Sequence, residues 1–195
     1  MVPVIVLLIT VWALRLTWHI ARRHGAEDAR YKAMRDRHGE AFASRSLWMI
    51  FWLQAVIQWV ASSPVLVAVL APTQAVMVLV WCGAALFAVG FVLEILADRA
   101  IATFRANPAN SGKLLTTGLH ARLRHPNYLG EIILQFGLGL MAFGLTLNPL
   151  AFVGPALIAF LMVKVSGVPM LEAMFKTRAG YDAWAAKTNA LWPKF

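Results

Sequence analysis

The sequence predicts an all-α, multi-pass integral membrane protein with about five spans and a single membrane domain over residues 1–195. Hydrophobic residues make up 60% of the chain and charged residues only 14%, against about 25% charged in soluble domains. The mean hydropathy is +0.66. Apolar segments of about 20 residues recur along the chain, and that length crosses the hydrocarbon core of a bilayer.

Five apolar segments are predicted to span the membrane. They are approximately Val2–Ile20, Leu47–Leu70, Ala75–Ala97, Tyr128–Thr146 and Pro149–Val168. The second is interrupted by Ser62-Ser63-Pro64. This interruption predicts either a proline-kinked span or a span that ends near Ala61 and continues as an interfacial stretch.

The basic residues predict the orientation of the chain. Sixteen of the 18 lysines and arginines lie in the loops Ala21–Ser46 and Asp98–Asn127 or after the fifth span, and the opposite turns have none. The positive-inside rule makes the basic side cytoplasmic. We therefore expect an outward N-terminus and a cytoplasmic C-terminus. The basic loops of a membrane protein explain the net charge of +9, so no nucleic-acid partner is expected. No obligate protein partner is evident from the sequence.

A polar motif precedes the fourth span. Residues Arg124–Glu131 read Arg-His-Pro-Asn-Tyr-Leu-Gly-Glu. A helix N-terminus has free N–H groups and the positive end of the helix dipole, so it favours anions. With Arg122 and Arg124 beside it, we expect a phosphate-bearing or carboxylate-bearing cofactor at the water–lipid boundary.

Helix capping is the alternative interpretation of this motif. Pro126 suits the first helical turn, and Asn127 or His125 could cap it. Capping does not explain Glu131, which is predicted to lie one turn inside the membrane, where an ionisable group is costly.

Glu94 and Asp98 lie four residues apart, on one face at the cytoplasmic end of the third span. They could form ion pairs with Arg99 or a loop arginine, or bind the hydroxyls of a ligand. If the helix continues, Arg105 shares this face. A solvated arginine is the alternative there.

Polar residues inside the first two spans predict an internal cavity. Arg15 and His19 lie four apart in the first span, and Gln54 and Gln58 repeat that spacing in the second. An arginine within a span normally faces protein or water. Hydrogen bonding between helices without any function is the alternative. Arg15 and His19 are the candidates for catalysis.

Other site types are not indicated. The sequence has no glycine-rich dinucleotide turn, phosphate loop or nucleophile elbow. No metal site is expected, because the histidines have no carboxylate or cysteine at ligand spacing. The small residues at 83–90 are interpreted as a helix-packing face, and the charged run Glu27–Tyr31 as a solvated segment.

Several motifs, in order along nearly the whole chain, resemble the bacterial membrane family DUF1295. They are Trp12–Leu16, Glu27–Tyr31, Ala97–Arg99, Phe104-Arg105, Asn107-Pro108, Gly118-Leu119, Arg124–Glu131, Ser166–Glu172 and Gly180-Tyr181. That family is similar to the C-terminal domain of steroid 5-alpha-reductases. The resemblance implies an enzyme that reduces a lipophilic enone or lipid double bond with NADPH, acting on a small molecule in contact with membrane lipid.

The resemblance also implies which residues bind the cofactor. Asp98, Arg105, Asn127 and Glu131 would contact NADPH. The further candidates are Arg23, Arg30, Tyr31, Lys113, His125, Tyr128 and the region near Ser166.

The Arg-His-Pro-x-Tyr-x-Gly element is shared with isoprenylcysteine carboxyl methyltransferases and phospholipid methyltransferases. S-adenosylmethionine is therefore the alternative cofactor, and methylation of a lipid or prenylated substrate is the alternative reaction. The excess of arginine in the loops favours the dinucleotide, whose phosphates suit bidentate guanidinium groups.

The chain departs from the steroid enzymes in three ways. It is expected to lack two N-terminal spans, one of which supplies the polar pair that polarises the enone. Trp12 stands in place of a substrate-binding tyrosine, and Glu94 in place of an asparagine. A third hypothesis is therefore a catalytically incomplete membrane protein.

Overall fold

The computed structural model describes residues 1–22, 29–70 and 75–193. Throughout these ranges the regular structure is helical, with one isolated β-bridge between Leu123 and Asn189. The α-helices are α1 (Val2–Ala21), α2 (Ala29–His38), α3 (Phe42–Ser46), α4 (Leu53–Ala61), α5 (Ser63–Leu70), α6 (Met77–Ala106), α7 (Pro126–Thr146), α8 (Val153–Phe160), α9 (Val168–Phe175) and α10 (Tyr181–Lys187). Short 3₁₀ turns are Gly39–Ala41, Pro108–Asn110, Gly118–Ala121 and Pro149–Phe152, and π-helical turns are Leu47–Trp52 and Leu161–Val165.

The prediction of an all-α membrane protein with about five spans is confirmed. Four helical stretches are long and apolar enough to cross a bilayer, namely Val2–Ala21, Met77–Ala106, Pro126–Thr146 and Pro149–Phe175. Met34–Ala61 and Ser63–Leu70, which bend by 49° at their junction, make a fifth when they are counted together as one span. The bend falls at Ser62, two residues before Pro64. Proline has no N–H to donate to the carbonyl four residues earlier, so the helical hydrogen bonds are interrupted there. The Ser62 hydroxyl donates to the Gln58 carbonyl at 2.8 Å.

Helix α6 is longer than the third predicted span. It has 30 residues, which corresponds to about 45 Å, so it extends past a hydrocarbon core of roughly 30 Å. Its last turns therefore reach the polar side, and Asp98 and Arg105 belong to one continuous helix.

Helices α6 and α7 approach so closely that several positions admit only glycine. A Cβ at Gly90 would lie 2.5 Å from the carbonyl oxygen of Gly130, and one at Gly83 would lie 2.6 Å from that of Gly137. Such separations are far below van der Waals contact. The predicted packing face is correct for these two glycines and wrong for Ala85 and Ala88, which are exposed. The close approach sets the Glu94 turn of α6 beside the first turns of α7.

The loop between α6 and α7 packs against α10 and the residues that follow it, all on the predicted cytoplasmic side. The backbone N–H groups of Arg124 and His125 donate to the carbonyls of Asn189 and Ala190, both at 2.9 Å. The indole of Trp184 on α10 donates to the His120 carbonyl at 2.7 Å. These bonds hold the C-terminal segment against the start of α7 and close one end of the bundle.

Candidate functional site

A cavity of about 750 Å³ lies where the predicted cytoplasmic ends of α1, α6 and α7 meet the loop after α6 and helices α9 and α10. Its volume falls within the range of roughly 300–1,000 Å³ that is common for small-molecule sites. Ten of the candidate site residues singled out from the sequence line it: His19, Glu94, Asp98, Arg105, Lys113, Arg124, His125, Asn127, Tyr128 and Glu131.

Other sequence candidates lie elsewhere. Arg15 does not line the cavity itself but bonds to residues that do. Gln54 and Gln58 are exposed on α4 and do not line it, so the prediction that they share it is wrong. Arg30 and Tyr31 belong to α2, but their side chains lie outside what the structure describes, as do Arg23 and residues 27–28.

Arg15 joins α1 to two carboxylates on α6. Its guanidinium donates to Glu94 Oε1 at 2.7 Å and to Asp98 Oδ2 at 2.6 Å. The carboxylates are almost fully buried, with side chains 5% and 9% exposed. Glu94 is therefore paired, as the structural alternative proposed, but with an arginine of the first span rather than Arg99 or a loop arginine. His19, one turn further along α1, lies 3.8 Å from the same Asp98 oxygen.

Glu131 is satisfied by neutral donors. The indole of Trp12 donates to Oε2 at 3.0 Å, and the Gln135 amide donates to Oε1 at 2.8 Å. Trp12, Arg15 and His19 follow one face of α1, because residues three and four apart are helical neighbours. This face of α1 therefore meets all three carboxylates of the site.

The start of α7 differs from the capping interpretation. His125 is the N-cap residue but makes no side-chain cap bond, and Pro126 occupies the first turn. The Asn127 amide reaches away from the helix end and donates to Asp98 Oδ1 at 3.4 Å. Asn127 thus links α7 to α6 within the cavity.

The motif arginines do not both face the cavity. Arg122 is exposed and does not line it. Arg124 lines it, but its Nε donates to Glu172 Oε1 at 2.9 Å and its terminal nitrogen donates to the Thr188 carbonyl. The expectation that both arginines flank the site is therefore wrong for Arg122, and Arg124 is bound to Glu172 and to the C-terminal segment.

The sequence predicted no role for Glu172. Its carboxylate accepts from Arg124, from the Tyr181 hydroxyl and, at 2.6 Å, from His125 Nε2. The only signal in the sequence was an acidic residue in the motif after the last span. The contacts show that Glu172 ties α9 and α10 to the start of α7, which fixes one wall of the cavity.

Two buried side-chain atoms lack a hydrogen-bond partner among the described residues: Glu94 Oε2 and His120 Nδ1. Both residues line the cavity. Burial lowers the pKa of His120 to about 4, with a smaller contribution from the nearby His125, so His120 is neutral at pH 7. Buried polar groups are nearly always satisfied.

One curated relative is 32% identical over 115 residues, which cover 56% of this chain and 38% of the relative. It is "Probable O-methyltransferase ustE" from Ustilaginoidea virens. The match therefore spans little more than a third of that protein's length. No solved structure matches the chain significantly.

The family comparison covers the membrane helices and the cavity together. Residues 2–188 match a family described as "Protein of unknown function (DUF1295)". That range contains the three carboxylates Glu94, Asp98 and Glu131, the start of α7 and the contacts of Glu172. The chain belongs to the DUF1295 family.

Proposed function

We propose that this protein is a membrane-embedded enzyme that uses NADPH to reduce a lipophilic enone or a related lipid double bond. The observation behind the proposal is the cavity lined by Glu94 and His120, each of which has one buried atom without a hydrogen-bond partner among the described residues. A cavity with convergent polar groups at the end of a helix bundle is the expected form of a cofactor site. On the positive-inside rule it opens to the cytoplasm, where the soluble cofactor is found. The protein would lie in the bacterial inner membrane.

The charges of the lining residues support an anionic cofactor near the polar rim. Arg105 and Lys113 line the cavity and are exposed, so they can bind phosphate groups. Asp98, Asn127 and Glu131 lie deeper and present hydrogen-bonding atoms suited to ribose or amide groups. NADPH, when bound, supplies a hydride to the β-carbon of the enone.

The contacts of the two catalytic candidates differ. Arg15 is bound on both sides by carboxylates, so it positions Glu94 and Asp98. His19 lines the cavity and is partly exposed. We assign His19 the donation of a proton to the carbonyl oxygen of the substrate, which activates the enone for hydride attack.

A second candidate function is methyl transfer from S-adenosylmethionine to a lipid or prenylated substrate. Two observations favour it: the printed name of the relative, and the three carboxyl side chains that line the cavity, two of which are contacted by Arg15. A sulfonium cofactor needs fewer basic partners and more acidic ones than a dinucleotide does.

Calorimetric titration of the purified protein in detergent tests both candidates. We expect NADPH to bind, and Arg105→Ala or Asn127→Ala to weaken its affinity about tenfold, which corresponds to one lost polar contact of about 1.4 kcal/mol. Arg99→Ala is the matched control, because Arg99 is exposed on α6 outside the cavity.

The outcomes separate three cases. Binding of S-adenosylmethionine without NADPH replaces the first function with the second. A protein that binds neither at millimolar concentration is not an enzyme of either kind. It would then be a scaffold in which Asn127→Ala changes only stability.

A further inference from the structure

The inner end of the cavity has more acidic than basic side chains. Three acidic residues, Glu94, Asp98 and Glu131, line it, and the guanidinium of Arg15 contacts two of them. Trp12 and Gln135, which satisfy Glu131, are neutral. Among these contacts, three carboxyl groups are matched by one cationic side chain.

Five of the six carboxylate oxygens have a protein partner. Arg15 serves Glu94 Oε1 and Asp98 Oδ2, Asn127 serves Asp98 Oδ1, and the two neutral donors serve Glu131. The sixth, Glu94 Oε2, is buried without one among the described residues. Glu94 as a whole is only 4% exposed. Water therefore has little access to it, and a buried anion needs an opposite charge or a donor nearby.

We propose that this inner end is a subsite for a positively charged group of the bound ligand, with Glu94 as the residue that selects for that charge. The inference rests on the proposed function, because it concerns the cofactor that the cavity would hold. Two sources supply the same chemistry: the pyridinium ring of the oxidised nicotinamide cofactor and the sulfonium of S-adenosylmethionine. Each charged compound has a counterpart of similar shape that lacks the positive charge. The counterpart of NADP⁺ is NADPH, and that of S-adenosylmethionine is S-adenosylhomocysteine.

The electrostatic effect is large enough to measure. Two unit charges about 6 Å apart, at an effective dielectric constant of about 20, interact by a free energy equivalent to roughly a hundredfold in affinity. Arg15 cancels part of this field. We therefore expect the charged member of the pair that binds to have about tenfold higher affinity than the neutral member.

The test compares dissociation constants within each pair, NADP⁺ with NADPH and S-adenosylmethionine with S-adenosylhomocysteine, on the full chain in detergent. Glu94→Gln keeps the shape and the contact with Arg15 but removes the acidic group, so it should move the ratio towards one. Glu40→Gln is the matched control, because it removes an equal charge from an exposed position outside the cavity. The pair that responds identifies the source of the charged group.

The ratio in the unaltered protein decides the matter even if Glu94→Gln does not fold. The subsite is refuted if the two members of a pair bind with equal affinity, or if the ratio of their affinities is unchanged in Glu94→Gln. Either result leaves the proposed function intact. Absence of binding by all four compounds overturns both together.

Discussion

Replacing Arg15 by methionine tests the central contact of the site. Arg15 is the cation between Glu94 and Asp98, at 2.7 and 2.6 Å. Methionine keeps the apolar stem of the side chain and removes the charge. The variant leaves two buried carboxylates without their counterion.

The expected loss of stability follows from that burial. Removing one partner of a buried ion pair costs roughly 3–5 kcal/mol, since the remaining charge stays uncompensated. The Arg15 side chain is 18% exposed, so we expect about 3 kcal/mol. For a chain of this length, each kcal/mol lowers Tm by roughly 2–4 °C. The expected decrease is about 6–12 °C.

Thermal unfolding in detergent, followed by circular dichroism, measures this decrease. Lys32→Met is the matched control, because its pair with Asp36 is exposed on both sides and such pairs contribute about 0–1 kcal/mol. Adding Glu94→Gln and Asp98→Asn to Arg15→Met should recover most of the lost Tm. A single variant within 2 °C of the unaltered protein, or a triple variant no more stable than the single, would refute the reasoning.

Three further predictions concern other parts of the fold. Gly90→Val should prevent the close approach of α6 and α7 and cost at least about 3 kcal/mol, whereas Ala88→Val on the exposed face should have little effect; equal Tm values for the two variants would contradict this packing. The pKa of His120 lies below that of the unfolded chain, so stability should be greatest above about pH 6.5 and decrease as the pH falls towards 4, by on the order of 2 kcal/mol at pH 5. In His120→Gln the dependence of Tm on pH should be shallower, and an unchanged slope would argue against a buried neutral histidine. Glu172→Gln should loosen the C-terminal segment and increase proteolysis after α9 without removing the membrane helices, and unchanged protection would contradict that role.

Some of the site could be predicted from helix periodicity. Asp98 and Arg105 lie seven residues apart, and once α6 is known to continue to Ala106 they must share a face. The same spacing along α1 predicts that Arg15 and His19 point in one direction. The pairing of Arg15 with Glu94 and Asp98 could not be predicted, because these residues lie 79 and 83 positions further along the chain and spacing rules act only within one helix.

The roles of Arg124 and Gln54 show where local reasoning fails. An arginine beside a helix N-terminus favours an anion site, yet Arg124 binds Glu172, which is 48 residues away in sequence. Gln54 repeats the four-residue spacing of the first span but is exposed. In a membrane protein the sequence does not reveal which polar stripe faces another helix, since lipid-facing and protein-facing positions are both mostly apolar.

The sequence by itself determined the all-α membrane class, the approximate spans and the polar character of one end of the bundle. These properties depend on hydrophobicity, length and charge, which are local and additive along the chain. Only the tertiary structure decided which carboxylates share Arg15, which of their oxygens has no partner in the described part of the chain, and that a cavity lies among them. The close contact of Gly90 with Gly130 brings these groups together, and such a contact depends on the complementary shapes of two distant segments.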